Sequence, residues 1–94
     1  MDGFEWDEEK RLANIKERGV DFLRAAAIFQ NPVIEAEDER NDYSETRIRA
    51  LGYVDDEYFL VAYTWRGDNR RIISAWKVGE YGKRRYTALL SRRN

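Results

Sequence analysis

The stretch Tyr58-Phe59-Leu60-Val61-Ala62-Tyr63-Thr64-Trp65 decides the fold of this chain. It is apolar at both odd and even positions, a pattern typical of a strand that is buried on both faces. Polar turn segments flank it, Asp55-Asp56-Glu57 before and Gly67-Asp68-Asn69 after. The sequence therefore predicts that residues 58–65 form the central strand of a sheet.

Further strands are predicted on both sides of the central one. Thr46–Val54 alternates between two faces, and Arg70–Trp76 follows directly after a turn. Val33–Glu37 is another extended segment, followed by the polar loop 38–44, and Phe4–Trp6 can add a short strand at the start. Because the loops between the later strands are short, we expect an antiparallel meander.

Three helices are predicted to accompany the sheet. The first follows Asp7, a good N-cap residue, and stops before Gly19. Its thin apolar stripe, Leu12 and Ile15, is expected to be buried. The second helix is capped by Asp21, is more apolar and ends before a proline. The predicted helices cover residues 8–18, 22–29 and 80–93.

Length and composition fit one small globular domain. The 94 residues suffice for one hydrophobic core but not for two. A hydrophobic content of 43% beside a charged content of 37% indicates a folded chain with a heavily charged surface. We therefore expect a single domain over residues 1–94. Its fold class is α+β, with two N-terminal helices packed on a small antiparallel sheet and a C-terminal helix.

The chain contains neither cysteine nor histidine, which excludes several kinds of chemistry. Disulfides, thiolate metal sites, His-ligated zinc and the Ser-His-Asp triad are all impossible. The carboxylates of residues 38–45 do not have EF-hand spacing, and there is no P-loop. We expect no metal and no cofactor, so any chemistry must use Lys, Arg, Tyr, Ser, Thr, Asp or Glu.

No segment of the sequence resembles a membrane span or a signal peptide. The apolar runs are too short to cross a bilayer, and the first nine residues are acidic, the reverse of a signal peptide. The sequence predicts a soluble, cytoplasmic protein with no membrane partner.

The net charge of −1 conceals an uneven distribution. Residues 1–45 carry 13 acidic and 6 basic side chains, and residues 46–94 carry 5 and 11. The two parts therefore have charges of −7 and +6, which sum to −1. If they fold into separate regions, the basic part attracts phosphate groups. If their strands interleave, the two fields cancel.

Residues 70–77, Arg-Arg-Ile-Ile-Ser-Ala-Trp-Lys, combine a core strand with an unusual polar set. A cationic, hydroxyl-bearing and aromatic row on a rigid strand suits a polyanion such as RNA, although arginines that reach water from a packing strand give the same pattern. Strict alternation of side chains predicts two faces. One would carry Arg70, Ile72, Ser74 and Trp76, and the other Arg71, Ile73, Ala75 and Lys77.

Four segments of the chain resemble the BrnT family of type II toxins, in the family's order over about residues 4–86. They are residues 4–22, Asp42-Tyr43-Ser44-Glu45-Thr46-Arg47, Tyr63-Thr64-x-Arg66-Gly67 and Arg71-Ile72-Ile73-Ser74-Ala75. The resemblance implies a RelE/ParE-like fold and an endoribonuclease that needs no metal and halts translation. It also implies a BrnA-like ribbon-helix-helix antitoxin as partner, through which alone the toxin would meet operator DNA.

RNA cleavage by its own 2′-hydroxyl requires charge stabilisation at phosphorus and proton transfer at two oxygens. Arg47 and Arg71 are the candidates to bind the phosphoryl oxygens, because both lie inside predicted strands. Ser74 could hold a phosphate oxygen. Lys77 and Tyr86 are candidates for proton transfer, which requires a lowered pKa because each normally titrates near pH 10. The expected RNA-binding residues are Arg49, Arg70, Trp76, Tyr81, Arg84 and Arg85.

These candidate residues also have structural explanations, and two positions depart from the family. Arg47, for example, could simply pair with Glu45 or Asp42. Glu17-Arg18-Gly19 stands where the family has Lys-His-Gly, and Trp76 stands where it has an arginine. Tryptophan offers one N–H and a stacking face in place of a cation. The alternative function is therefore a catalytically degenerate relative that only binds its antitoxin or a nucleic acid.

Overall fold

The computed structural model describes residues 3–39 and 44–92, so most of the predicted polar loop 38–44 lies outside it. The elements follow the chain as β1 (Phe4–Trp6), α1 (Glu8–Arg18), α2 (Phe22–Ala25), a 3-10 helix (Ala26–Gln30), β2 (Ile34–Glu37), β3 (Ile48–Val54), β4 (Glu57–Arg66), β5 (Asn69–Val78) and α3 (Glu80–Ser91). The predicted α+β class is confirmed. None of the helices in these ranges has the length and apolar character of a membrane span.

The five strands form one mixed sheet in the order β1-β5-β4-β3-β2. The pairs from β2 to β5 are antiparallel, but β1 runs parallel to β5. The prediction of a wholly antiparallel sheet is therefore wrong. The rule of short connections applies only to strands joined by tight turns, and residues 7–68 separate β1 from β5.

Two tight hairpins set the register of the three central strands. Asp55 and Asp56 join β3 to β4, since Val54 pairs with Glu57. The turn from β4 to β5 is equally short and begins at Gly67. Asp55 has a φ of 54° and Gly67 a φ of 60°. Two-residue hairpin loops favour such positive φ values because their twist then matches that of the strands.

A β-bulge lies in β5 at Ile73. Tyr63 of β4 pairs with Ile72, whereas its neighbour Ala62 pairs with Ser74. One extra residue in a strand moves all later side chains to the other face. The predicted strict alternation is therefore wrong beyond this point. Arg71, Ser74 and Trp76 share one face, and Arg70, Ile72, Ala75 and Lys77 share the other.

The hydrophobic core lies between the N-terminal helices and one face of the sheet, which we call the covered face. Its centre is the cross-strand row Ala50, Val61 and Ala75, each fully buried. Phe22 of α2 and Ile28 of the 3-10 helix, also fully buried, pack on this row. These helices therefore cover one face of the sheet. We call the opposite face the open face.

Helix α1 packs differently from the prediction. Leu12 is 55% exposed and Ile15 is 36% exposed, so the predicted buried stripe is wrong. The buried residue is Asn14, whose amide donates to the carbonyl oxygens of Val20 (2.9 Å) and Ala75 (2.8 Å) and accepts from the Ala75 N–H (3.3 Å). Pairing of β1 ends before this point of β5, so Asn14 satisfies backbone groups that the short strand leaves open.

Helix α3 packs on one end of the open face. The Tyr86 ring lies 5.3 Å from that of Tyr58, and its hydroxyl donates to the Pro32 carbonyl at 2.7 Å. Gly82 allows the close approach, because a Cβ there would lie only 2.7 Å from the Val78 Cβ. The helix ends at Ser91 within the described residues, and the predicted end at residue 93 lies outside them.

The acidic and basic parts of the chain supply different strands of one sheet. The edge strands β1 and β2 come from the acidic part, and the three central strands from the basic part. The Glu5 carboxylate of β1 accepts from the Arg71 guanidinium of β5 at 2.7 Å. The basic strands thus form the centre of the sheet and are flanked and partly compensated by acidic ones, so neither of the two arrangements considered from the sequence is realised in full.

Candidate active site

A polar row crosses the middle of the open face. Arg49 of β3 pairs with Ala62 of β4, and Ala62 pairs with Ser74 of β5. Adjacent strands lie about 4.8 Å apart, so the Cα atoms of Arg49 and Ser74 are separated by about 10 Å. Only a methyl side chain stands between them. The row therefore leaves room for a phosphate group between a guanidinium and a hydroxyl.

Arg49 is not fully satisfied within the protein. Its Nε atom is buried and has no hydrogen-bond partner among residues 3–39 and 44–92. A buried donor without a partner costs free energy, and an anionic ligand that accepts from it removes the cost. The Nε atom of Arg70, a residue of the covered face, is also buried without a partner, so this feature alone does not identify a ligand site.

A second row lies next to the first, toward the end of β4. Thr64 pairs with Arg71, and Glu5 lies opposite Arg71 in the parallel ladder. Glu5 accepts from Arg71 Nη1 at 2.7 Å and from Asn69 Nδ2 at 3.2 Å. Both charged side chains are 28% exposed, so solvent and ligands reach them. The hydrogen bond from Arg71, followed by that from Asn69, lowers the pKa of Glu5 and keeps it ionised.

Two further arginines border the second row. Arg47 Nε donates to Glu45 at 3.1 Å, the pairing considered from the sequence; Asp42 lies outside the described residues. The Ser44 hydroxyl, and then Arg47, lowers the pKa of Glu45. Arg66, exposed at the end of β4, also lowers the pKa values of both Glu5 and Glu45 by charge attraction. Sequence reasoning missed Arg66 as a site residue, although it quoted the segment that contains it.

Comparison with known proteins assigns the family. The profile described as ribonuclease toxin, BrnT, of type II toxin-antitoxin system matches residues 6–89. The chain belongs to the BrnT family. Its members are thus ribonuclease toxins, each the toxin of a type II toxin–antitoxin system. No curated protein matches the chain. The matched range contains Arg49 and Ser74 of the first row and Arg71 of the second.

The two departures from the BrnT pattern meet in the structure. The Arg18 guanidinium carbon lies 4.9 Å from the centre of the Trp76 ring, a distance typical of a cation–π contact. Trp76 pairs with Leu60 on the open face, and Arg18 reaches it from the end of α1. A cation therefore lies beside the position at which the BrnT pattern has an arginine.

Arg70 lies on the covered face, apart from the other arginines. Its guanidinium carbon is 4.2 Å from the Phe29 ring centre and 4.6 Å from that of Trp65. It is also 5.4 Å from the ring centre of Tyr63. Arg70 therefore caps an aromatic cluster at the end of the core and is not brought to the open-face rows.

The two candidates for proton transfer also lie apart from Arg71 and Ser74. Lys77 is on the covered face, where its Nζ is 2.9 Å from a Glu57 carboxylate oxygen. This contact, and then that with Arg24, lowers the pKa of Glu57. Tyr86 is the buried residue of α3, 3% exposed, and its hydroxyl donates to the Pro32 carbonyl. The structure thus gathers the phosphate-binding candidates but not these two.

The α3 candidates lie together on the outer surface of that helix. Tyr81, Arg84 and Arg85 line a shallow groove with Ala88, Leu89 and Arg92. Tyr81 is 73% exposed, so its ring is available for stacking. The groove therefore presents aromatic and basic groups together on the outer surface of α3.

No metal centre is found in the described part of the chain. No three carboxylates of residues 3–39 and 44–92 come close enough to hold an ion, and cysteine and histidine do not occur in the sequence. The functional groups on the open face are guanidinium, hydroxyl and carboxylate. They can bind phosphate, stabilise negative charge and exchange protons.

Proposed function

We propose that this chain is the toxin of a type II pair and cleaves RNA on the open face of its sheet. The observation that carries the proposal is that Arg49, Arg71 and Ser74 lie on that face, with Arg47, which precedes β3, at its border. Arg71 and Ser74 come together only because of the bulge at Ile73. Four groups that donate hydrogen bonds, three of them permanently charged, fit a phosphodiester and have little use in packing.

The proposed mechanism uses the 2′-hydroxyl of the RNA as nucleophile. Arg49 and Arg71 bind the non-bridging oxygens of the phosphate, and Ser74 donates to one of them. As the 2′-oxygen attacks, negative charge grows on these oxygens, and the guanidinium groups stabilise it. Arg47 and Arg66 add positive potential at the border of the site. The nucleophile belongs to the substrate, so the reaction is proposed to need no metal.

Binding of the flanking nucleotides is assigned to the aromatic and basic residues beside the rows. Trp76 offers a ring face next to Ser74, and Arg18 supports that ring from α1. The groove of α3, with Tyr81, Arg84 and Arg85, extends the binding surface. Stacking and phosphate contacts of this kind tolerate many sequences. The expected result of cleavage in the cell is loss of messenger RNA and arrest of translation.

The proposed partner is a BrnA-like ribbon-helix-helix antitoxin. Family membership supports an antitoxin partner, because the family is one of toxin–antitoxin systems. An antitoxin that covers the open face would neutralise the toxin directly. Operator DNA would then be bound only by the antitoxin of the complex.

A RelE/ParE-like fold is also proposed. The two N-terminal helices and the sheet with a basic centre agree with it.

A catalytically degenerate BrnT protein is the second candidate function. It is favoured by Trp76, which replaces a permanently charged donor with a neutral ring. The contact with Arg18 weakens this argument, because it restores a positive charge to the same location. In this second case the chain would keep the fold and the antitoxin contacts but would not cleave RNA.

Inducible expression of the wild type and of Arg71→Ala tests the proposal. The wild type should arrest growth and cleave RNA, and Arg71→Ala should cut the purified enzyme's rate by about 100- to 1,000-fold, as for other lost charge-stabilising donors. Arg24→Ala is the matched control, because Arg24 pairs with Asp55 and Glu57 away from the open face. Intact RNA with the wild type, together with tight binding of a ribbon-helix-helix partner, would establish the degenerate alternative.

A further inference from the structure

The proposed site contains phosphate-binding groups but still needs a proton acceptor. Lys77 and Tyr86 lie elsewhere, as described above. Glu5 and Glu45 each accept a hydrogen bond from an arginine at these rows. Asp38 also lies near them, since its N–H donates to the Arg47 carbonyl at 2.8 Å, but it follows β2 and is outside the strands. Glu45 precedes β3 and lies outside the strands, whereas Glu5 is held in β1 in register with Arg71. Glu5 is therefore the carboxylate with a rigid position beside the phosphate-binding groups.

We propose that Glu5 is the general base of the cleavage reaction, an inference that rests on the proposed function. The Glu5 carboxylate removes the proton of the 2′-hydroxyl. The 2′-oxygen then forms a bond to phosphorus, and the bond from phosphorus to the 5′-oxygen breaks. The departing oxygen takes a proton from water, and Glu5 returns its own proton to solvent. The products are a 2′,3′-cyclic phosphate and a 5′-hydroxyl end, with no oxidation or reduction.

The geometry around Arg71 supports this role. Arg71 donates to Glu5 through Nη1 at 2.7 Å, and a guanidinium has further donors that can bind a phosphate at the same time. A phosphate held by those donors lies directly beside the carboxylate. The 2′-hydroxyl is about 3 Å from that phosphorus in a conformation ready for attack. Arg71 would therefore hold base and phosphate together.

The charges around Glu5 keep it in the form that a base requires. The charged groups that face it are Arg71 of β5 and Arg66 of β4, and Asn69 donates a further hydrogen bond. These contacts lower its pKa, so the carboxylate stays ionised at neutral pH and loses its negative charge only as the pH falls through that lowered value. Cleavage should accordingly fall only below the usual glutamate range of about 4.3.

The test is the pH dependence of single-turnover cleavage by the purified full-length protein. Glu5→Gln should slow cleavage of an RNA oligonucleotide by about 100- to 10,000-fold, the usual contribution of a general base. The acidic limb of the pH profile should disappear with it. Glu5→Asp should retain the limb at an intermediate rate. All variants should bind a 2′-O-methyl oligonucleotide, which cannot react, about as tightly as the wild type does.

The outcomes separate this inference from the proposed function. Glu9→Gln, an equal charge change on the exposed surface of α1, should behave as wild type. A slow Glu5→Gln variant that keeps the acidic limb would show that Glu5 only positions Arg71, and would overturn the inference. Wild-type cleavage with an unaffected Glu5→Gln profile would overturn it as well. Failure of the wild type to cleave at any pH would instead overturn the proposed function, and the role of Glu5 with it.

Discussion

The two faces of the sheet are made from the same strands but have opposite chemistry. On the covered face, a row of small apolar side chains is sealed by α2 and the 3-10 helix. On the open face, the residues next in sequence form the polar row. The neighbouring pairs are Arg49 and Ala50, Ala62 and Val61, and Ser74 and Ala75. One step along a strand therefore separates a residue of the core from a residue of the candidate site.

This comparison shows how a 94-residue domain can hold both a core and a charged site. The covered face supplies the apolar burial on which folding depends. The open face can then carry arginines whose donors are left for a ligand, as the buried Nε of Arg49 illustrates. Stability and activity should accordingly respond to different substitutions, even at adjacent positions.

The largest effect is expected from a cavity on the covered face. Phe22 is fully buried and packs edge-to-face on Trp6 at 6.2 Å. Phe22→Ala should lower the free energy of unfolding by about 3–5 kcal/mol, measured by chemical denaturation. The next residue, Leu23, is 42% exposed, so Leu23→Ala is the matched control and should cost less than about 1 kcal/mol. Equal losses for the two variants would contradict the described core.

A smaller effect is expected where α3 contacts the open face. Gly82→Ala places a methyl group 2.7 Å from the Val78 Cβ. The overpacking should cost about 1–3 kcal/mol, more than the roughly 1 kcal/mol by which alanine favours a helix. Denaturation curves should show that Gly82→Ala is less stable than the wild type. Adding Val78→Ala in a double variant should remove this overpacking and recover stability. A more stable Gly82→Ala protein would show that α3 does not approach β5 so closely.

Removal of the hydroxyl on the open face should affect activity without affecting stability. A hydrogen bond from Ser74 to a charged phosphate oxygen is worth about 1.5–3 kcal/mol, so Ser74→Ala should slow RNA cleavage about tenfold or more. Its free energy of unfolding should stay within about 0.5 kcal/mol of wild type. Ser91→Ala, which loses a hydroxyl bond at the end of α3, is the control for cleavage. Destabilisation without slower cleavage would assign Ser74 to packing.

The smallest effect is a pH dependence on the covered face. Burial, and then the hydrogen bond that its hydroxyl donates to Glu35, raises the pKa of Tyr63 to about 12. The folded state thus favours the neutral phenol, and this stabilisation is complete below about pH 10 and is lost as the pH rises toward 12. Between pH 8 and pH 11, the free energy of unfolding measured in urea should fall less for Tyr63→Phe than for the wild type. Tyr81 is exposed, so Tyr81→Phe is the control, and its free energy of unfolding should fall as much as that of the wild type.

Most of the secondary structure could be predicted from the sequence because its signals are local, although the predicted helix 22–29 divides into α2 and the 3-10 helix. Asp7 accepts from the Glu9 N–H at the start of α1, and Gly19 ends that helix with a φ of 69°. The two hairpin turns lie within the polar segments from which they were predicted, 55–57 and 67–69. Resemblance also identified the family correctly. These features depend on residues a few positions apart, or on an ordered set of such segments.

What only the tertiary structure decided is which side chains meet. The parallel pairing of β1 with β5 brings Glu5 beside Arg71, a residue 66 positions away in the sequence. The bulge at Ile73 moves Ser74 to the face of Arg71 and leaves Lys77 on the other. Asn14, not Leu12, is buried because the edge of β5 needs hydrogen-bond partners. Register and edge pairing depend on contacts between distant segments, which local patterns do not encode.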